Sequence, residues 1–121
     1  MARILLIEDD DQMRAMLRLM LERSGYDVAE AADGRVGINL YKASPADLII
    51  TDLIMPEKEG IETILALKQD YPELKIIAIS GGGQVDPEAY LRMAQKAGAL
   101  RTLAKPFERD DLLNTIKEVL D

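Results

Sequence analysis

The sequence predicts a doubly wound α/β domain, an open parallel sheet with helices on both faces. Two observations predict it. Short aliphatic runs alternate with longer helical patterns about five times along the 121 residues. Three of those runs, Ile4-Leu5-Leu6-Ile7, Leu48-Ile49-Ile50 and Ile76-Ile77-Ala78-Ile79, are apolar at every position. A strand with one wet face alternates polar and apolar residues. A continuous apolar run belongs to a strand covered on both sides, as in a parallel sheet between two helical layers. Right-handed crossovers turn the alternation into that sheet.

The expected strands span residues 3–7, 27–31, 48–51, 75–79 and 101–104. The first helix is marked by Met13, Met16, Leu17, Met20 and Leu21, one stripe at helical spacing. Ser24-Gly25 ends it, because glycine accepts the left-handed cap conformation. Residues 34–42 form the weakest helix pattern, since Gly34 and Gly37 each lower helix stability. Ile61, Ile64 and Leu65 mark a third helix. Tyr90, Met93, Ala94 and Ala97 mark a fourth, closed by Gly98. Leu112, Leu113, Ile116, Val119 and Leu120 line the fifth, whose N-cap falls within 108–110, where carboxylates meet the helix dipole. With no linker, repeat or low-complexity stretch, residues 1–121 read as one domain.

Composition narrows the chemistry. A formal net charge of -7 opposes general binding to nucleic-acid phosphates. There is no histidine, so the commonest neutral-pH acid/base group and transition-metal ligand are missing. Cysteine is missing too, which removes disulfides and thiolate chemistry. No apolar run approaches the ~20 residues of a membrane span, and Met1-Ala2-Arg3-Ile4 lacks a signal-peptide layout. These features predict a soluble cytoplasmic protein whose chemistry rests on carboxylates, hydroxyls, lysine or a hard cation.

In such a sheet, ligands sit beyond the carboxyl ends of the strands. The first strand ends in Glu8-Asp9-Asp10-Asp11 and the third in Thr51-Asp52. The fourth ends in Ser80-Gly81-Gly82-Gly83 and the fifth in Lys105-Pro106-Phe107. Each piece alone has an ordinary explanation. Acids before a helix serve as caps, an aspartate after a strand forms a turn, and Ser-Gly-Gly-Gly makes a loop. Together they place carboxylates, a hydroxyl and a lysine at one corner. Clustered acids repel one another unless a cation joins them, and magnesium suits oxygen ligands.

At these residues the chain resembles the receiver domain of bacterial response regulators, the phosphoacceptor half of two-component signalling. The likeness runs from Ile4 to Leu120. It is carried by Glu8-Asp9, Asp52 with Met55-Pro56 and Gly60, Ser80-Gly81, Gly98-Ala99 and Lys105-Pro106-Phe107. Their order and spacing, 43 residues from Asp9 to Asp52, then 28 to Ser80 and 25 to Lys105, make the set specific.

The resemblance implies a flavodoxin-like, five-stranded parallel sheet in the order 2-1-3-4-5 with five helices. It implies that Asp52 takes a phosphoryl group from the phosphohistidine of a sensor histidine kinase or a histidine phosphotransfer protein, then signals to a downstream protein target. Direct nucleic-acid or membrane binding is not expected. The implied cofactor is Mg2+, held by Asp9 and Asp52, with Glu8 acting through water and the Ile54 backbone carbonyl as a further ligand. Lys105 and Ser80 would contact phosphoryl oxygens, helped by the Gly81 N–H, and the Lys105-Pro106 bond would be cis. The chain ends at Asp121, the pattern of a stand-alone, chemotaxis-type receiver or of a domain from a longer protein. The family's usual partner surface is the fourth helix, fifth strand and fifth helix, where Leu91 or Arg101, both expected to be exposed, is a candidate.

Three positions depart from the family pattern. Thr102 stands where an aromatic residue usually couples to the hydroxyl residue as a switch. Gly81-Gly82-Gly83 and a long 84–88 connection suggest a loop that orders on phosphorylation and moves the fourth helix. Ile54 and Gly82 offer no side chain to orient a hydrolytic water, which predicts slow self-dephosphorylation.

Rival readings fare worse. A haloacid-dehalogenase-like phosphatase needs a second aspartate where Ile54 stands. A flavin-mononucleotide binder needs a phosphate-cradling loop after the first strand, where four acids would repel phosphate. A pseudo-receiver used only for docking remains the alternative, opposed by the intact Glu8, Asp9, Asp52, Ser80 and Lys105 set.

Overall fold

The computed structural model describes residues 2–52, 57–80, 87–105 and 107–121. The elements alternate: β1 (Arg3–Ile7), α1 (Asp11–Arg23), β2 (Asp27–Ala31), α2 (Gly34–Ala43), β3 (Leu48–Asp52), α3 (Glu57–Asp70), β4 (Ile76–Ser80), α4 (Pro87–Ala97), β5 (Arg101–Ala104) and α5 (Arg109–Leu120). The strands form one parallel sheet in the order β2-β1-β3-β4-β5. This is the flavodoxin-like order. The winding direction reverses between β1 and β3, and the crevice beyond their carboxyl ends is where such folds bind ligands.

Side-chain alternation along each strand divides the core in two. Leu5, Ile7, Ile49, Ile76 and Ala78 pack with Ile64 and Leu67 of α3, Tyr41 of α2 and Ala94 of α4. Ile4, Leu6, Leu48, Ile50, Ile77 and Ile79 pack on the other side with Leu17 and Leu21 of α1 and Leu112, Ile116 and Val119 of α5. Both faces of the central strands are covered, as their unbroken apolar runs require. Among the described residues no helix is long and apolar enough to cross a membrane.

Several expectations need correction. β3 and β4 each extend to a polar residue, Asp52 and Ser80, and β4 begins at Ile76, so these two candidate site residues terminate the strands rather than follow them. Met16, Leu65 and Met93 were expected on apolar stripes, yet they are about half exposed, at 56%, 51% and 49%. Each helix uses a narrower face against the sheet than its apolar content suggests. Leu91 is half-buried rather than exposed, whereas Arg101 is exposed. The expectations for Ile54, the glycine loop at 81–83 and the Lys105-Pro106 bond lie outside the described residues.

The glycines of α2 have a packing role. A Cβ at Gly37 would lie 2.4 Å from Cδ1 of Ile7, and one at Gly34 would lie 2.0 Å from Oγ1 of Thr63. Both neighbours are buried, so α2 lies against β1 and α3 only because these positions are bare. Glycines that weaken an isolated helix here allow its docking. Gly37→Ala gains about 0.5–1 kcal/mol of helix propensity but overpacks the core by about 1–3 kcal/mol. The expected result is a net loss in urea unfolding. A more stable variant would show that Ile7 moves aside freely.

Gly25 and Gly98 end α1 and α4 with positive φ, 97° and 129°, as their sequence positions predicted. Glu108 is the N-cap of α5, and its N–H donates to Asp111 Oδ2 at 3.0 Å.

Candidate functional site

The strand parity that builds the core also aims the site. Leu6 and Ile50 face the α1–α5 layer, so Glu8 and Asp52, two residues further on, emerge on that side. Leu103 faces the same layer, and Lys105 follows it by two. Sheet pairing sets the depth: Ile7 lies beside Thr51, Asp52 beside Ile79, and Ser80 beside Ala104. The Lys105 N–H then donates to the Ser80 carbonyl at 2.6 Å, joining the ends of β4 and β5.

The four acids after β1 have separate tasks. Glu8 is buried, at 1% exposure. Its N–H donates to Ala31 O at 3.0 Å, and its Oε2 accepts from the Asp10 N–H at 3.2 Å. Asp10 is the N-cap of α1; its Oδ1 accepts from the N–H groups of Gln12 and Met13 at 2.9 and 3.1 Å. Asp11 occupies the first turn and pairs with Arg14 at 2.6 Å. Asp9 is exposed. The ordinary capping explanation therefore holds for Asp10 and Asp11, while Glu8 turns inward.

Lys105 sits between two buried carboxylates. Its Nζ is 2.5 Å from Asp52 Oδ2 and 3.5 Å from Glu8 Oε1. Asp52 is 2% exposed. Two carboxyl groups facing one ammonium cannot both be neutralised. Burial, followed by hydrogen bonding and repulsion from Asp52, pushes the Glu8 carboxyl up to about 8, against the pull of the Asp10 N–H and Lys105. Glu8 Oε1 otherwise has no hydrogen-bond donor. This corner is all oxygen donors, short of positive charge, with one carboxylate held against a lysine at the strand end.

Of the expected residues, Glu8, Asp52 and Lys105 come together directly, and Ser80, fully buried, joins through its backbone. Asp9 faces solvent beside them, and among the described residues no three acidic side chains converge as a metal-holding group. Thr102 lies half-buried on β5, paired with Ala78. Ile54 and Gly81 fall outside the described residues. Sequence reasoning missed Arg14. Its Nη1 donates to the Glu8 carbonyl at 2.8 Å, and that partner, a backbone atom, leaves no trace in a motif.

Residues 4–117 match the family model described as "Response regulator receiver domain". The chain belongs to that family. It is 36% identical over 118 residues to the chemotaxis protein CheY of Thermotoga maritima, covering 97% of this chain and 96% of that one. It is 37% identical to the response regulator receiver protein CpdR of Brucella abortus, covering 99% and 98%. Among solved structures, a response regulator receiver domain protein from Clostridium thermocellum superposes with a TM-score of 0.89 at 27% identity, covering 99% of this chain and 94% of that one. The chain is thus a CheY-like receiver domain of two-component signalling, a class of switches rather than of conventional enzymes.

Proposed function

We propose that this receiver domain is a phosphoryl-accepting switch with Asp52 as its nucleophile. The observation that carries the reading is the buried contact between Asp52 and Lys105, 2.5 Å long, at the reversal point of the sheet. A carboxylate oxygen of Asp52 attacks the phosphorus of a phosphohistidine on a histidine kinase or phosphotransfer protein. The O–P bond forms as the P–N bond breaks, and the electron pair returns to the imidazole with a proton from solvent, leaving an acyl phosphate. Lys105, already on Asp52, moves to a phosphoryl oxygen and stabilises the charge that spreads over the group in transit. Ser80 donates to a second oxygen, helped by the Gly81 N–H.

Magnesium fits the donor set: two buried carboxyl groups share one lysine, and Glu8 Oε1 is left without a hydrogen-bond donor. Asp9 and Asp52 would hold it, with Glu8 acting through water and the Ile54 carbonyl completing the protein ligands. When bound it supplies charge neutralisation for the transferring group.

Phosphorylation would alter the surface shown to a downstream protein. Thr102 cannot supply an aromatic rotamer change, so Ser80 must pass the new charge outward by another route. Ile54, with no polar side-chain atom to hold a hydrolytic water, predicts a long-lived acyl phosphate. Ile54→Asn should shorten that lifetime, followed as loss of the adduct by mass; an unchanged decay contradicts the assignment. The nucleophile is testable by borohydride reduction, which converts a phosphorylated aspartate to homoserine. Homoserine at position 52 supports the reading, and homoserine at Asp9 overturns it.

A further inference from the structure

We infer that Arg14 is a positioning residue, a clamp that fixes the peptide plane between Glu8 and Asp9 and so sets where both carboxylates point. This rests on the cation-assisted reading of the site. Arg14 lies one turn into α1 and its side chain is only 16% exposed. Its guanidinium is held on three sides. Nη1 donates to the Glu8 carbonyl at 2.8 Å, Nη2 pairs with Asp11 at 2.6 Å, and Nε lies 3.6 Å from Glu30 of β2. Glu30 is in turn held by Arg18, whose Nη1 is 3.0 Å away. A planar fork with fixed donors suits this task better than a lysine's point charge.

The Glu8 carbonyl and the Asp9 N–H belong to one rigid peptide unit. The Glu8 N–H is already tied to β2 through Ala31 O. Arg14 secures the other end, so the chain cannot rotate as it leaves β1. Glu8 is thereby kept turned inward against Lys105 and Asp52, while Asp9 is held at the rim. The exposed Asp9 side chain has no such tether of its own among the described residues beyond this plane.

The sign of the effect separates a clamp from a charge. Arg14 carries positive charge close to an acidic corner. If it acted only through its field, removing it would strengthen cation binding by relieving like-charge repulsion. A clamp does the opposite. Arg14→Gln should weaken magnesium binding about tenfold, measured by calorimetry, and lower the backbone order parameter of Asp9 from a rigid value of about 0.85 in the metal-free protein. Arg14→Lys, which keeps charge and one donor, should recover part of both. Glu30→Gln, which loosens the far side of Arg14, should weaken magnesium binding in the same direction but by less.

Magnesium binding that is tighter or unchanged in Arg14→Gln overturns the clamp, and so does an Asp9 order parameter equal to the wild type. The relaxation readout needs no metal. Wild-type protein that keeps an ordered Asp9 but binds no magnesium would instead overturn the cation-assisted site, and the clamp's service to it.

Discussion

Lys105→Met should slow the proposed phosphoryl transfer to Asp52 by about two to three orders of magnitude, the usual cost of removing a preorganised electrostatic group. The substitution keeps length and apolar stem and deletes the ammonium that contacts Asp52 and Glu8. It also strands the buried Asp52 carboxylate without its counter-charge, beside a Glu8 carboxyl that keeps its proton. Breaking a buried pair from one side typically costs about 3–5 kcal/mol, so metal-free Lys105→Met should unfold at markedly lower urea. Lys105→Arg separates these effects. It restores positive charge and most of the stability, but its wider fork cannot occupy the same point, and the rate stays low. Rapid-quench measurement of adduct formation, beside urea unfolding, checks both. A Lys105→Met variant with a wild-type rate would remove Lys105 from the chemistry.

The second large effect is on stability and pH. Glu8 has a carboxyl raised from 4.5 to about 8 in the folded chain, by burial first and by Asp52 second. Between those values the folded protein holds a proton that the unfolded chain has released. Stability is therefore fully present below the unfolded value and declines as pH rises towards 8, by at most about 1.4 kcal/mol per pH unit. In chelator, the urea midpoint should fall from pH 5 to pH 8, against the common expectation that carboxylates favour neutral pH. Glu8→Gln, which cannot ionise, should flatten the profile. A midpoint that rises over this range would show that Glu8 is ionised in the fold.

Much of this fold was legible in the sequence. Both layers follow from strands apolar at every position, such as Ile76–Ile79, and from helix ends closed by Gly25 and Gly98. The candidate site was legible as a set, because Asp52 and Ser80 end their strands and Glu8 and Lys105 stand one residue past theirs. What was hidden depends on three-dimensional partners. Met16, Leu65 and Met93 lie at helical spacing with core residues, yet the sheet covers only part of each stripe. Gly34 and Gly37 read as helix breakers until Thr63 and Ile7 are seen against them. Arg14 bonds a carbonyl, which every residue possesses. The four acids look alike in sequence, and only the path of the chain turns Glu8 inward while Asp10 caps α1.

Intact mass after incubation with a small phosphodonor and magnesium distinguishes metal-assisted phosphoryl acceptance at Asp52 from its alternatives. One added phosphoryl group is expected on the wild-type chain, and none in Asp52→Asn or in chelator. An adduct that forms equally in Asp52→Asn, or no adduct with magnesium and donor in excess, would contradict it, and the second result would favour a receiver used for docking alone.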